Sequence, residues 1–242
     1  LVVAVVLRVA GQKNVRIADL QVDGNKQAHP YNCQWSSQDG IIVRYSPDPT
    51  GNGLCVPSED VLVENCISNN CVTHGIGVLS SRRVTIRNCT ANNSGRDNAH
   101  PNGIDISFQP GKIGPGDDCI PPDNEDCVVE GCTAFGNIHG GIESWGPRNF
   151  RTQIRNCHTD IIIVNTGGFN KNTFEGLNVK IDATIADCHI DHSQRNVNDG
   201  AILLTYASGV MIANCHIIAN QEGIVGGYGR PCPPCTPDIG LQ

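Results

Sequence analysis

The sequence is poor in aromatic residues, contains no long apolar run and carries no excess of positive charge. Phe, Trp and Tyr make up 5% of the 242 residues, whereas there are 27 glycines. This composition favours a fold with many turns over a helical bundle. The apolar start, Leu1–Leu7, is far shorter than the roughly 20 residues of a transmembrane helix. A formal net charge of −7 argues against nucleic acid or an anionic membrane as a partner.

The beginning of the chain also lacks the features of a secretion signal. It has no basic region and no small-residue cleavage site, and it begins without Met inside a strand-like run. We therefore expect a processed or excised piece of chain that has lost its natural N-terminal cap.

A short pattern recurs along the chain, in which two alternating apolar residues precede Asn or Asp and then Cys. A repeat of about two dozen residues, interrupted by loop insertions, explains its spacing. The cysteines at its last position are Cys66, Cys89, Cys132, Cys157, Cys188 and Cys215. A second pattern, a glycine followed by alternating apolar residues, marks strands with one buried face. Its glycines are Gly40, Gly75, Gly103, Gly141, Gly176, Gly200 and Gly223.

These patterns predict an all-β fold of about seven coils with three short strands in each. No periodic segment of ten or more residues suggests a helix between the strands, which argues against βαβ units. We expect a solenoid over residues 1–228 and a Pro/Cys-rich tail over 229–242. The chain resembles the right-handed parallel β-helix (pectin lyase-like) superfamily, which includes pectate lyases, polygalacturonases and phage tailspikes. The turn residues that carry this resemblance are Asn65, Asn88, Asn156 and Asn214.

The cysteines are expected to serve two purposes. Those of the repeat form an inward ladder of small buried thiols. Among the others, Cys119 with Cys127 is the first predicted disulfide and Cys33 with Cys55 the second, while Cys232 and Cys235 lie in the tail. Loop disulfides are typical of an oxidising compartment, so we expect an extracellular or cell-surface protein.

A row of histidines follows the ladder. His158, His189 and His216 each come after a ladder cysteine on successive coils. Three imidazoles suggest a metal, but a straight row on a flat sheet does not easily enclose a tetrahedral ion. We interpret the row as a surface stack.

The outer face of the first strand in each coil is the predicted site. Aligning the glycines places Asp105 and Glu143 on adjacent coils, where the repulsion of two carboxylates raises the pKa of one of them. Such an acid and base pair suits glycoside hydrolysis. The other candidate catalytic residues are His139, His74 and Lys180. The candidate substrate-binding residues are Trp145, Arg44, Asn178, Ser107 and Asn102.

A more local resemblance concerns the polygalacturonases. Asn102–Ile106, Gly116–Ile120 and His139-Gly140 are similar to the Asn-Thr-Asp, Asp-Asp and Gly-His-Gly segments of that family. The resemblance implies hydrolysis by Asp105, Asp117, Asp118 and His139. It departs from the family pattern in that Asn-Gly-Ile precedes Asp105 and no Arg-Ile-Lys segment occurs. Asp117 and Asp118 could instead bind calcium, because hard cations take carboxylate oxygens.

Three functions remain open from the sequence. The first is a polysaccharide hydrolase, and the second is a lyase or epimerase acting on uronic-acid polymers. The third is a non-catalytic tailspike, adhesin or surface-filament component that binds glycans or self-assembles into a homo-oligomer. A polysaccharide or glycan chain is the expected partner, and carbohydrate processing is favoured over pure binding or structure. The fold alone does not separate the three functions because it hosts all of them.

Overall fold

The computed structural model describes residues 5–28, 39–48, 50, 53–95, 101–108, 119–166, 179–195, 200–220, 222–226 and 239–241. These residues form 28 short strands, numbered β1 to β28 in chain order, and no helix. In particular, this part of the chain contains no helix long and apolar enough to cross a membrane. All strand pairs are parallel except one short hairpin, so the predicted parallel β-helix class is confirmed.

The first sheet has eight parallel strands, each contributed by a successive coil. They are β1 (Val5–Ala10), β4 (Asp39–Arg44), β9 (Ile76–Leu79), β11 (Asn102–Ser107), β15 (Gly140–Trp145), β19 (Ile162–Asn165), β23 (Ile202–Thr205) and β27 (Ile224–Gly226).

The second sheet has ten strands. They are β2 (Arg16–Ala18), β7 (Glu59–Glu64), β10 (Arg82–Arg87), β12 (Asn124–Glu125), β13 (Val128–Glu130), β16 (Asn149–Phe150), β17 (Gln153–Arg155), β21 (Thr184–Ala186), β25 (Val210–Ala213) and β28 (Ile239–Leu241). The last of these belongs to the predicted tail, and its backbone pairs with β25.

The third face consists of shorter strands. A four-stranded sheet contains β14 (Thr133–Ala134), β18 (His158–Thr159), β22 (His189–Asp191) and β26 (His216–Ile218), and β3 (Gln21–Asp23) pairs with β8 (Ile67–Asn69). Outside the three faces, β20 (Val179–Lys180) pairs with β24 (Ala207–Ser208), and β5 (Ser46–Pro47) forms the hairpin with β6 (Cys55–Val56).

The core runs along the axis of the coils as stacked columns of like residues. Ile76, Ile104 and Ile142 of the first sheet are all fully buried, because alternate residues of each strand point inward. The cysteines after the second-sheet strands line the same core, and the backbone N–H of Cys66 contacts the sulfur of Cys89 at 3.4 Å. They are free thiols, so the ladder contributes packing and no covalent link.

Left-handed backbone turns join the faces. Asn65, Asn88, Asn156 and Asn214 have φ between 52° and 53°, a region in which Asn is tolerated better than most residues. Gly131 takes the corresponding place, directly before Cys132, with φ 62°. The predicted role of the Asn positions as tight turns therefore holds at the backbone level.

The predicted disulfides were wrong. Cys55 bonds to Cys119, which excludes both Cys119–Cys127 and Cys33–Cys55. Cys127 is a free thiol in the core, 1% exposed, directly before β13. Cys71, which belongs to neither predicted group, is also free and fully buried. Linear spacing could not give these outcomes, because a disulfide depends on distances between loops of different coils.

Candidate active site

The register of the first sheet brings Asp105 and Glu143 side by side. Asp105 on β11 pairs with Glu143 on β15, and the flanking Ile104 and Ile142 of the same strands pair in the core. Alternation therefore directs both carboxyl groups to the outer face of the sheet, on strands about 4.8 Å apart. The sequence-based alignment of these two residues agrees with the structure.

The outer face around the pair is covered, whereas outward side chains on an open sheet would be exposed. Asp105 is 3% exposed and Glu143 is 4% exposed. Apolar neighbours in the same column are buried as well, with Ile42 at 1% and Ile163 at 2%. The two carboxyl groups therefore share a site of low polarisability in which charge is costly.

A buried amide connects the two acids. Asn102 is fully buried, and its Nδ2 donates to Glu143 Oε2 at 2.5 Å and to Asp105 Oδ1 at 3.4 Å. Since both oxygens contact one nitrogen, they lie no more than about 6 Å apart. The hydroxyl of Ser107 donates to Asp105 Oδ2. Each carboxyl group is thus held by a fixed donor from the same strand, β11.

Two imidazoles flank the pair, one beside each acid. His74 Nε2 lies 3.8 Å from Asp105 Oδ2, and His139 Nε2 lies 3.8 Å from Glu143 Oε2. The His74 side chain is 22% exposed and that of His139 is 32% exposed. The histidines therefore form the half-exposed border between the buried acids and solvent.

The environment shifts the pKa of Asp105 strongly. Burial raises the pKa of Asp105 to about 6; the nearby His74 opposes the rise, and the negative charge of Glu143 adds to it. Burial alone would lower the pKa of His139, but the hydrogen bond and charge of Glu143 outweigh it, and the pKa of His139 is raised. The site can thus hold a protonated carboxyl group up to about pH 6 beside a second carboxyl group.

A third carboxyl group, on the coil before that of His74, supports this arrangement. Asp39 is 2% exposed, and its Oδ1 accepts hydrogen bonds from Thr73 Oγ1 at 2.6 Å and from the backbone N–H of His74 at 3.0 Å. Its charge adds to the rise in the pKa of Asp105. Asp39 therefore fixes the backbone that carries His74.

Arg195 holds the segment that carries His139, and nothing in the sequence pattern singles it out. Its guanidinium donates to three consecutive carbonyl oxygens, those of Asn137 (3.0 Å), Ile138 (2.8 Å) and His139 (2.9 Å). It also pairs with the buried Asp160 at 3.1 Å. The contact joins segments 56 residues apart in the chain, which no local motif records.

Several predicted site residues lie elsewhere. Lys180 was predicted on the first-strand face with Asp105 and Glu143, but this is wrong: Lys180 pairs with Ser208 in a separate two-stranded sheet, and the residue beside Trp145 is Asn165 of β19. Arg44 is 6% exposed and lies two strands from Ser107 in the same column. Trp145 is half-buried and adjoins Ser107 in register.

Asp117 and Asp118, the residues of the calcium prediction, lie outside the described residues, as does Asn178. Within the described part of the chain, no group of three or more His, Cys, Asp or Glu residues is placed to hold one metal ion. The local resemblance to polygalacturonases therefore extends, in the described residues, to Asp105 and His139.

Comparison with known proteins adds a fold-level observation. No protein-family model matches the chain, and no curated protein has a similar sequence. Among solved structures, it is similar to the A-module of mannuronan C-5 epimerase AlgE4 from Azotobacter vinelandii, with a TM-score of 0.38 and 14% identity. The match covers 97% of this chain and 76% of that one. A similarity at this level supports no statement about function, so the chemistry of the site rests on its own residues.

Proposed function

We propose that the protein is a carbohydrate-active enzyme that hydrolyses glycosidic bonds with Asp105 and Glu143. The observation that carries this proposal is the adjacency of two buried carboxyl groups, of which one has a pKa raised to about 6. An acid that keeps its proton up to about pH 6, next to a second carboxyl group, is the pair that glycoside hydrolysis needs.

The two acids take different roles. Asp105, with the raised pKa, donates its proton to the leaving glycosidic oxygen as the bond from that oxygen to the anomeric carbon breaks. Glu143, held by the 2.5 Å hydrogen bond from Asn102, attacks that carbon and forms a glycosyl ester. Water then hydrolyses the ester after losing a proton to the Asp105 carboxylate, which restores both groups.

The separation of the acids favours this retaining route. Carboxyl groups are about 5–5.5 Å apart in retaining enzymes and about 6.5–9.5 Å apart in inverting ones. The shared contact with Asn102 limits the separation here to no more than about 6 Å. The half-exposed His74 and His139 mark the side from which a sugar approaches.

A panel of polysaccharides, incubated with the full chain, tests the proposal. We expect new reducing ends with retained anomeric configuration, and a loss of at least about 100-fold in turnover in Asp105→Asn and in Glu143→Gln. Asp126→Asn is the matched control, because this carboxylate is exposed and pairs with Arg151 on the second sheet. An unsaturated product absorbing in the ultraviolet would instead indicate a lyase. A glycan that binds and is released unchanged would indicate a non-catalytic binding protein.

We also propose an extracellular or cell-surface location. The support is the Cys55–Cys119 bond, which joins two loops 64 residues apart, since disulfides persist mainly in oxidising compartments. Fractionation of the source cells, with mass spectrometry of the Cys55–Cys119 peptide without reduction, tests this location.

A further inference from the structure

A row of imidazoles lies on the third sheet, away from the acid pair. His158, His189 and His216 are in register on β18, β22 and β26. Successive ring centroids are 4.7 and 4.8 Å apart, and the rings meet edge to face at 85° and 72°. Phe135 closes the row against His158 at 4.6 Å. His158 and His216 are exposed and His189 is half-buried, so the row is accessible to small solutes.

The contact between the last two rings differs from the rest of the row. Nδ1 of His189 lies 3.1 Å from Nδ1 of His216. Only one of these nitrogens can carry a hydrogen in a hydrogen bond between them, and the other must present its lone pair. When both rings carry their protons on Nε2, both Nδ1 atoms can donate their lone pairs to one external Lewis acid.

The distance is an ordinary hydrogen-bond length, and it also fits two ligands of one metal ion. Two metal–nitrogen bonds of about 2.0–2.1 Å that meet at a right angle place their nitrogens roughly 2.9 Å apart. A tetrahedral angle would place them about 3.4 Å apart. The 3.1 Å spacing is closer to adjacent positions of a square-planar or octahedral ion, the geometries of Cu²⁺ and Ni²⁺.

We propose that His189 and His216 form a surface site for Ni²⁺ or Cu²⁺, with water in the remaining coordination positions. A carboxylate supports the charge of the ion: Asp191 lies two residues from His189 on β22 and interacts electrostatically with His189 and His158. Its Oδ1 is held by Ser193, through the backbone N–H at 3.1 Å and the hydroxyl at 2.6 Å. On β26, the residue opposite Asp191 is Ile218, which carries no charge.

Two protein ligands imply modest affinity, in the micromolar range, and competition with protons for the same lone pairs. Calorimetric titration of the full chain with Ni²⁺ at neutral pH is the direct measurement. We expect one ion per chain, and at least a tenfold loss of affinity in His189→Gln and in His216→Gln. The matched control is His158→Gln, which removes an imidazole of the same row that lacks the close nitrogen contact; its affinity should stay within about twofold.

A second readout distinguishes coordination from non-specific uptake. With Cu²⁺ in place of Ni²⁺, the electron paramagnetic resonance spectrum should be axial and show coupling to two nitrogens, of which His216→Gln should remove one. Circular dichroism confirms that each variant remains folded. Binding that is unchanged in both His189→Gln and His216→Gln, or that is weakened as much by His158→Gln, would overturn the proposal.

Discussion

The backbone N–H of Asn102 donates to Nδ1 of His74 at 3.1 Å. A neutral imidazole that accepts at Nδ1 carries its proton on Nε2, and Nε2 is the atom that faces Asp105 at 3.8 Å. His74 therefore presents a proton to Asp105, and no free lone pair. In the proposed reaction it can adjust the acidity of Asp105 but cannot remove its proton.

Replacing His74 by Leu should move the titration of Asp105 to higher pH. His74 opposes the rise in the pKa of Asp105, so its removal leaves burial and Glu143 less opposed. Carbon NMR of labelled aspartate, recorded across pH, measures the change. His158→Leu, an exposed imidazole on the third sheet, is the control. A titration of Asp105 that is the same or lower in His74→Leu would contradict the assignment.

The free energy of unfolding should fall as pH rises through 6. The folded-state pKa of Asp105 is about 6, against an ordinary value of 3.8. The folded state favours protonated Asp105. The contribution of Asp105 to the free energy of unfolding is therefore complete below the ordinary pKa and is lost as pH rises through the folded-state pKa. The difference amounts to about 3 kcal/mol. His139 acts in the same direction, since its pKa is also raised.

Urea denaturation at several values between pH 4 and pH 8 measures this dependence. Asp105→Asn should flatten the curve and be more stable than the natural chain at pH 8, because the charge of a buried carboxylate has been removed. Asp19→Asn changes an exposed Asp whose backbone is already left-handed, with φ 58°, and should follow the natural chain. Equal pH dependence in Asp105→Asn and the natural chain would exclude Asp105 as the cause.

The turn residues give a prediction about stability that is independent of function. Asn156 is exposed and has φ 53°, where an alanine is strained by roughly 1–2 kcal/mol. Asn156→Ala should lower the free energy of unfolding by about that amount, and Asn156→Gly by much less. Gln153→Ala, an exposed extended position in the same coil, serves as the control in thermal or urea unfolding. Equal effects of Ala and Gly at position 156 would show that backbone conformation does not decide the cost.

The register of the central coils could be predicted from sequence, because a glycine lies at the same position in each of their first-sheet strands. A Cβ at Gly103 would lie 2.8 Å from the carbonyl oxygen of Gly141 and closer still to that of Ala91, so this corner accepts only glycine. The glycines at 103 and 141 then align Asp105 with Glu143. The glycine pattern in the sequence and the register of the strands therefore have the same physical cause, which is the lack of space for a side chain at this corner.

The later coils break this rule. Ile142 pairs with Ile162 and Ile162 with Ile202, so Ile161 stands where Gly141 stands and Gly200 comes one position too early. A shift of one residue exchanges the two faces of a strand. Counting from Gly200 therefore predicts Ile202 and Leu204 on the outer face, whereas both lie in the core. Lys180 was misplaced for a different reason: the first-sheet strand after β15 is β19, which no glycine precedes, so the alignment took the segment after Gly176 instead.

Arg195 could not be found from sequence, and its replacement tests whether it positions His139. Arg195→Lys keeps the positive charge but loses the planar fork that reaches the carbonyl oxygens of Asn137, Ile138 and His139. We expect the contact between His139 and Glu143 to loosen, so that the pKa of His139 falls. Imidazole NMR titration measures this directly, and turnover on any substrate found should fall by roughly tenfold with a changed pH profile.

Arg155→Lys, which alters an ion pair with Glu130 on the second sheet, should leave the His139 titration unchanged. If His139 titrates identically in Arg195→Lys and the natural chain, Arg195 stabilises the coil without positioning the imidazole.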